Sequence, residues 1–135
     1  MKRTILSKLT AFMVLLTSSL YAEPAINNVQ NDDPSVKVEV YYFHMTARCV
    51  TCKTVEQQAK ASIESLYGNK VSFKSLNLEE PTSKEIAKKL KVSGQSLLIV
   101  KGEKQINITN QGFMYAKSNP EKFKSVIKEN IDPLL

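Results

Sequence analysis

The sequence predicts one α/β domain built in the order β-α-β-α-β-β-α. Three observations carry that prediction. Val36-Lys37-Val38-Glu39-Val40-Tyr41-Tyr42-Phe43 alternates and then turns wholly apolar, and Ser96-Leu97-Leu98-Ile99-Val100 is apolar after its first residue, as strands entering a covered sheet require. The segments between and beyond them repeat apolar residues at helical spacing. The chain has 135 residues, 42% of them hydrophobic and 24% charged, enough apolar material for a single core. That composition excludes a disordered tail, a collagenous repeat and a disulfide-dense miniprotein.

The first 22 residues read as an export signal. Met1–Lys8 is a short basic stretch, Leu9 to Leu16 is largely apolar, and small polar residues lead to a cleavage site after Leu20-Tyr21-Ala22. An apolar run of this length falls short of the roughly 20 residues that span a bilayer. Residues 23–35, rich in Asn, Asp and Pro, form a flexible lead-in, and the domain occupies residues 36–135. The net charge of +6 is partly an effect of the first segment. Lys2, Arg3 and Lys8 precede residue 22 while all 13 acidic residues follow it, so the mature chain carries +3. No nucleic-acid motif accompanies that modest excess.

Within the domain, the first strand is followed by a helix over Thr54–Tyr67, with Val55, Ala59, Ile63 and Leu66 on one stripe and Gly68 at its C-terminal cap. Val71–Leu78 is the second strand. Thr82-Ser83-Lys84-Glu85 has the spacing of a capping box and opens a short helix marked by Ile86 and Leu90, ended by Val92-Ser93-Gly94. After Ser96–Val100, the turn Lys101-Gly102-Glu103-Lys104 leads into a hairpin strand over Gln105–Asn110 with Ile106 and Ile108 alternating. Ser118-Asn119-Pro120 opens the last helix, whose Phe123, Val126, Ile127 and Ile131 face one way before Pro133.

The chemistry lies in the two cysteines, Cys49-Val50-Thr51-Cys52, between the first strand and the first helix. A helix N-terminus favours negative charge, so the first thiol ionises more readily there, with Arg48 and Lys53 acting in the same direction. A thiol of pKa about 8.5 is about 3% thiolate at pH 7, and one of pKa about 7 is about half thiolate. Cys49 is therefore the expected nucleophile. Cys52, one turn into the helix, is the expected resolving thiol that releases a mixed disulfide. Two other uses of the pair compete: a structural disulfide, and a binding module for a metal, an arsenical or an iron–sulfur cluster. Two cysteines and one histidine do not complete a tetrahedral site alone.

With Cys49-x-x-Cys52 after an apolar strand and this element order, the chain resembles the thioredoxin superfamily over nearly the whole mature sequence. The resemblance implies a thioredoxin-like fold, a central mixed sheet flanked by helices, and thiol–disulfide oxidoreductase activity. More narrowly, Tyr41-Tyr42-Phe43-His44-x-x-x-Arg48-Cys49-x-x-Cys52 and the Ser-Leu-Leu-Ile-Val strand look like small exported bacterial thioredoxin-like proteins. These are the nitrophenyl-compound nitroreductase subunits of the ArsF type associated with arsenic-resistance operons. No flavin-binding feature is visible, so nitroreduction by this chain alone is not expected. Three departures from ordinary thioredoxins stand out. Arg48 replaces the Trp before the first cysteine, Phe43 stands where a buried Asp usually accepts protons, and Ser96 occupies the cis-proline position. The Gln95–Ser96 bond is expected to be trans, and the Ser96 hydroxyl is a candidate neighbour of the sulfurs.

His44, the single histidine, is a candidate proton acceptor or pH-tuned neighbour of the dithiol, against the plainer reading of a strand-end imidazole bonded to backbone. Glu39 reads as a solvated strand charge, and Lys84, Lys88, Lys89 and Lys91 as a solvated basic face. Asn107-Ile108-Thr109 is a glycosylation sequon by letter only, and Phe113, Met114 and Tyr115 read as packing residues. The expectation is an exported, periplasmic or otherwise extracytoplasmic, thiol–disulfide exchange protein acting as reductant or electron carrier. It needs no cofactor beyond a reversible Cys49–Cys52 disulfide and has no membrane span after signal removal. Its partner is a protein bearing a thiol or disulfide, and a reductant in an oxidising compartment requires a membrane electron donor.

Overall fold

The computed structural model describes residues 35–135. The predicted export signal and all of the predicted lead-in but Ser35 lie outside the described residues. Four strands form one sheet in the order β2-β1-β3-β4: β1 is Val38–His44, β2 Val71–Asn77, β3 Ser96–Lys101 and β4 Lys104–Asn107. β1 runs parallel to β2 and antiparallel to β3, and β3–β4 is a hairpin, so the sheet is mixed. The parallel pair forces a crossover, which the 18-residue helix α1, Val50–Tyr67, supplies. α2 (Pro81–Lys89) leads back to β3, and α3 (Thr109–Tyr115) and α4 (Pro120–Ile131) follow the hairpin.

Alternation along β1 divides the molecule into two cores. Val38, Val40 and Tyr42 join Leu97 and Ile99 against Val55, Ala59 and Ile63 of α1 and Phe123, Ile127 and Ile131 of α4. Tyr41 and Phe43 point the other way, with Leu98, Val100 and Ala87 of α2. Both faces are covered, which is why the end of β1 reads as an unbroken apolar run.

Three sequence expectations are corrected. The Thr82–Glu85 capping box is not used. α2 starts at Pro81 with Glu80 as N-cap and no side-chain cap, because proline's fixed φ suits the first helical position and places Thr82 inside the helix. β4 ends at Asn107 rather than Asn110, because Asn107 Oδ1 accepts from the Thr109 backbone N–H (3.0 Å) and hydroxyl (2.6 Å) and turns the chain. A helix absent from the predicted order, α3, then follows, making the order β-α-β-α-β-β-α-α. Its Gly112 is the reason it packs so closely. A Cβ there would sit 3.2 Å from Val55 Cγ1 and 3.5 Å from both Leu97 and Phe123. Phe113 and Tyr115 pack on the main core, while Met114 is exposed.

The ends of α1 and α4 are tied through Asp132, which accepts from the Tyr67 hydroxyl (2.7 Å) and pairs with Lys128. These contacts, Lys128 foremost, hold the Asp132 carboxyl below its ordinary value. On the other face Glu39 accepts from Lys74 Nζ (2.6 Å) and the Tyr41 hydroxyl (2.6 Å). Burial pushes the Glu39 carboxyl up, but these two donors together outweigh it and leave it below the usual range. Both depressed carboxylates favour the fold above the ordinary carboxylate range, and that contribution disappears as the pH falls through their lowered values. A Glu39→Gln, Asp132→Asn double variant is therefore expected to lose less thermal stability than wild type between about pH 5 and pH 2, as read from circular dichroism melts.

Candidate active site

The sequence leaves the strand at His44 and enters α1 at Val50, and the turn between them presents the dithiol. Cys49 is the N-cap of α1, extended at φ −72° and ψ 166°, and its Sγ accepts from the Cys52 backbone N–H at 3.2 Å. A sulfur in that place occupies the position where Ser or Asp normally caps a helix, facing unpaired N–H groups and the positive end of the helix dipole. The same donors that hold the sulfur here favour a thiolate when the bond is reduced. Cys49 and Cys52 form a disulfide with Cα atoms 5.2 Å apart. The two sulfurs are unequal in access. Cys49 is exposed and Cys52 is 7% exposed, so only Cys49 is open to a second molecule.

Beneath Cys52 lies a polar cluster in an otherwise apolar core. Tyr42, fully buried, donates its hydroxyl hydrogen to the Cys52 carbonyl at 2.9 Å. Gln95 Nε2 donates to the same phenol oxygen at 2.5 Å, and Gln95 Oε1 lies 3.7 Å from Cys52 Sγ. Burial raises the Tyr42 phenol above its ordinary value, as does the nearby Glu56 carboxylate, with Gln95 and Arg48 opposing them, so the group stays protonated.

The residues singled out from sequence meet different fates. Arg48 pairs with Glu56, one turn beyond Cys52 on α1, so its charge is shared with a carboxylate and does not act on Cys49 alone. His44 is buried and its Nδ1–H donates to the Met45 carbonyl at 2.9 Å, the backbone bond of the plainer reading, with its ring 5.9 Å from that of Tyr42. The Gln95–Ser96 bond is trans, and the Ser96 hydroxyl donates to the Gly94 carbonyl at 3.0 Å. The side chain of that loop that reaches a sulfur is Gln95, one residue earlier. Phe43 is wholly buried in the second core, stacked on Tyr41, and supplies no proton acceptor. Sequence alone does not single out Tyr42, Glu56 or Gln95 as site residues; its one signal is that Tyr42 is a phenol inside a covered strand and must find a partner.

Among the described residues, no group of three or more His, Cys, Asp or Glu side chains is placed to hold a metal ion. No helix among them is long and apolar enough to cross a membrane.

No family model matches the chain, and no curated protein matches it. Solved structures do. Thioredoxin O2 from Arabidopsis thaliana in its oxidised state superposes with a TM-score of 0.50 at 22% identity, over 72% of this chain and 76% of that one. Trxlp from Edwardsiella tarda EIB202 gives a TM-score of 0.50 at 14% identity, over 69% of this chain and 84% of its own. Likeness at these identities speaks for architecture, and it agrees with the mixed sheet and the crossover helix. The chain has a thioredoxin-like fold, with its Cys49–Cys52 pair at disulfide distance where the first strand gives way to the first long helix.

Proposed function

We propose that the protein is an exported thiol–disulfide exchange protein, acting as a reductant or electron carrier, in which Cys49 attacks and Cys52 resolves. The observation that carries this reading is the asymmetry of the pair: an exposed sulfur at the helix cap with a buried one behind it. In the reducing direction the Cys49 thiolate attacks one sulfur of a partner's disulfide. The partner's S–S bond breaks, a mixed disulfide forms, and the partner's other sulfur leaves as thiolate. Cys52 then gives up its proton, by way of solvent, to the partner thiolate already released and attacks Cys49 Sγ. The Cys49–Cys52 bond forms, the partner's second sulfur leaves, and two electrons have passed from dithiol to partner.

Two features support the reducing or carrying direction. Val50-Thr51 offers no histidine between the cysteines to stabilise a thiolate, and Arg48 is engaged by Glu56. Both keep the reduced form from being over-stabilised, which is what distinguishes a reductant from a strong oxidant. Export rests on the signal pattern of residues 1–22. In an oxidising compartment such a protein draws its electrons from a membrane donor. The narrower likeness to nitroreductase subunits rests on the Tyr41–Cys52 motif and the Ser-Leu-Leu-Ile-Val strand, and with no flavin-binding feature in the sequence it is read as electron delivery rather than reduction of a nitro group.

A Cys52→Ser variant tests the reading, since it leaves the attacking sulfur and removes the one that releases the partner. In cells it should accumulate mixed disulfides visible as adducts on non-reducing gels and dispersed by dithiothreitol. No adducts, together with metal or arsenic co-purifying with wild type, would establish a binding module instead. A wild-type reduction potential well below about −300 mV would mark the bond as structural.

A further inference from the structure

We infer that Gln95, oriented by Tyr42, holds Cys52 as a thiol in the reduced protein and so confines the thiolate to Cys49. The inference deepens the exchange reading and rests on it for its biological meaning, but not for its chemistry. It follows from the direction of three contacts. A phenol has one hydrogen, and Tyr42 gives it to the Cys52 carbonyl. The phenol oxygen therefore accepts from Gln95, which only the Nε2 end of the amide can donate. With Nε2 fixed there, Oε1 is the end that faces Cys52 Sγ at 3.7 Å. An amide that could otherwise turn either way is thus locked with its acceptor on the sulfur.

In the disulfide, Cys52 Sγ carries no hydrogen and the contact with Oε1 is not a hydrogen bond. Reduction adds two electrons to the S–S bond and a proton to Cys52, and the same geometry becomes an S–H···O=C bond. The acceptor therefore favours the reduced form over the disulfide, and the thiol over the thiolate at Cys52. At Cys49 the helix N-terminus favours the opposite state. Two sulfurs three residues apart are held in different protonation states by different ends of the local backbone and side chains. In this chain the second of those devices comes from the loop before β3 and from the strand phenol.

The test is a Gln95→Leu variant, with Tyr42→Phe as a second that keeps the aromatic ring in the core. Both are titrated as reduced proteins by thiolate absorbance near 240 nm, with each sulfur assigned by alkylation and mass spectrometry. Gln95→Leu should raise the acidity constant of Cys52 about threefold to fivefold, the size expected for losing a weak S–H hydrogen bond. It should shift the glutathione equilibrium toward disulfide by the same factor at pH 7, a fall of roughly 14–21 mV. Tyr42→Phe should move both quantities the same way by less, and should add nothing in the Gln95→Leu background. The decisive readout is pH. The difference in potential should vanish above the pH at which Cys52 ionises in both proteins, since no thiol remains to be held. Unchanged Cys52 acidity in both variants, or a potential difference that persists at high pH, would overturn the inference. Because the titration needs no partner, its outcome is separate from whether Cys52→Ser captures one.

Discussion

Cys49→Ser is expected to reduce thiol–disulfide exchange to the background of the uncatalysed reaction, in both the reduction of insulin and exchange with oxidised glutathione. A serine hydroxyl forms no disulfide, and the remaining sulfur, Cys52, is buried behind the helix cap and beneath the Gln95 loop. The contrast with Cys52→Ser is what makes the result informative. That variant keeps the first half of the exchange and stalls at the mixed disulfide, whereas Cys49→Ser should form no adduct at all. Folding should survive the change. Serine is a good N-cap and can accept from the Cys52 N–H as the sulfur does. The lost cross-link closes a loop of only four residues, for which the chain-entropy argument gives about 2 kcal/mol. Urea unfolding of reduced wild type beside the variant checks that activity, and not the fold, has been removed.

Phe43→Asp, which would install the carboxylate that thioredoxins commonly carry at that place, is expected to unfold the domain or nearly so. Phe43 is wholly buried among Tyr41, Leu98 and the apolar face of α2. Truncating a buried Phe costs about 3–5 kcal/mol, and an unpartnered polar group adds about 1–3 kcal/mol. Against the 5–15 kcal/mol typical of a domain, little stability remains. Burial would also raise the new carboxyl's pKa. Its neutral form then fits the fold best, so the variant should be least unstable at low pH and lose stability as the pH rises past the ordinary carboxylate value. Urea midpoints at pH 4 and pH 7, higher at pH 4, would show it. Equal stability to wild type at pH 7 would mean that the site accommodates charge and that the second core is not as dry as its packing indicates.

What could be read in advance follows from how far each signal reaches along the chain. The two apolar strands and α1 are written in local periodicity, and the Cys-x-x-Cys spacing places the dithiol at the start of α1. α3 escaped because Gly112 and Asn110 weaken its helical signature, while its reason for existing is contact with Val55, Leu97 and Phe123, residues remote in sequence. The same holds at the site. Arg48 beside Cys49 is visible as a neighbour in sequence, but its pairing with Glu56 depends on the turn before α1 folding back along the helix. Gln95 lies 43 residues from Cys52 and meets it only because β3 pairs with β1. Sequence singles out Ser96 in that loop, but its hydroxyl turns to the Gly94 carbonyl and the neighbouring Gln95 is the side chain that faces the sulfur.

The two outer strands of the sheet bear on how another molecule can engage this one. β4 is four residues long and begins at Lys104, opposite Lys101. β2 carries Lys74, drawn across β1 to Glu39, with Lys70 just before its start. A short strand on one side and lysines on both make poor templates for backbone pairing, which disfavours strand addition and edge-to-edge self-association at these edges. On the proposed exchange reading, a molecule that forms a mixed disulfide with Cys49 is expected to engage the loops at the tips of β1 and β3 rather than to lengthen the sheet.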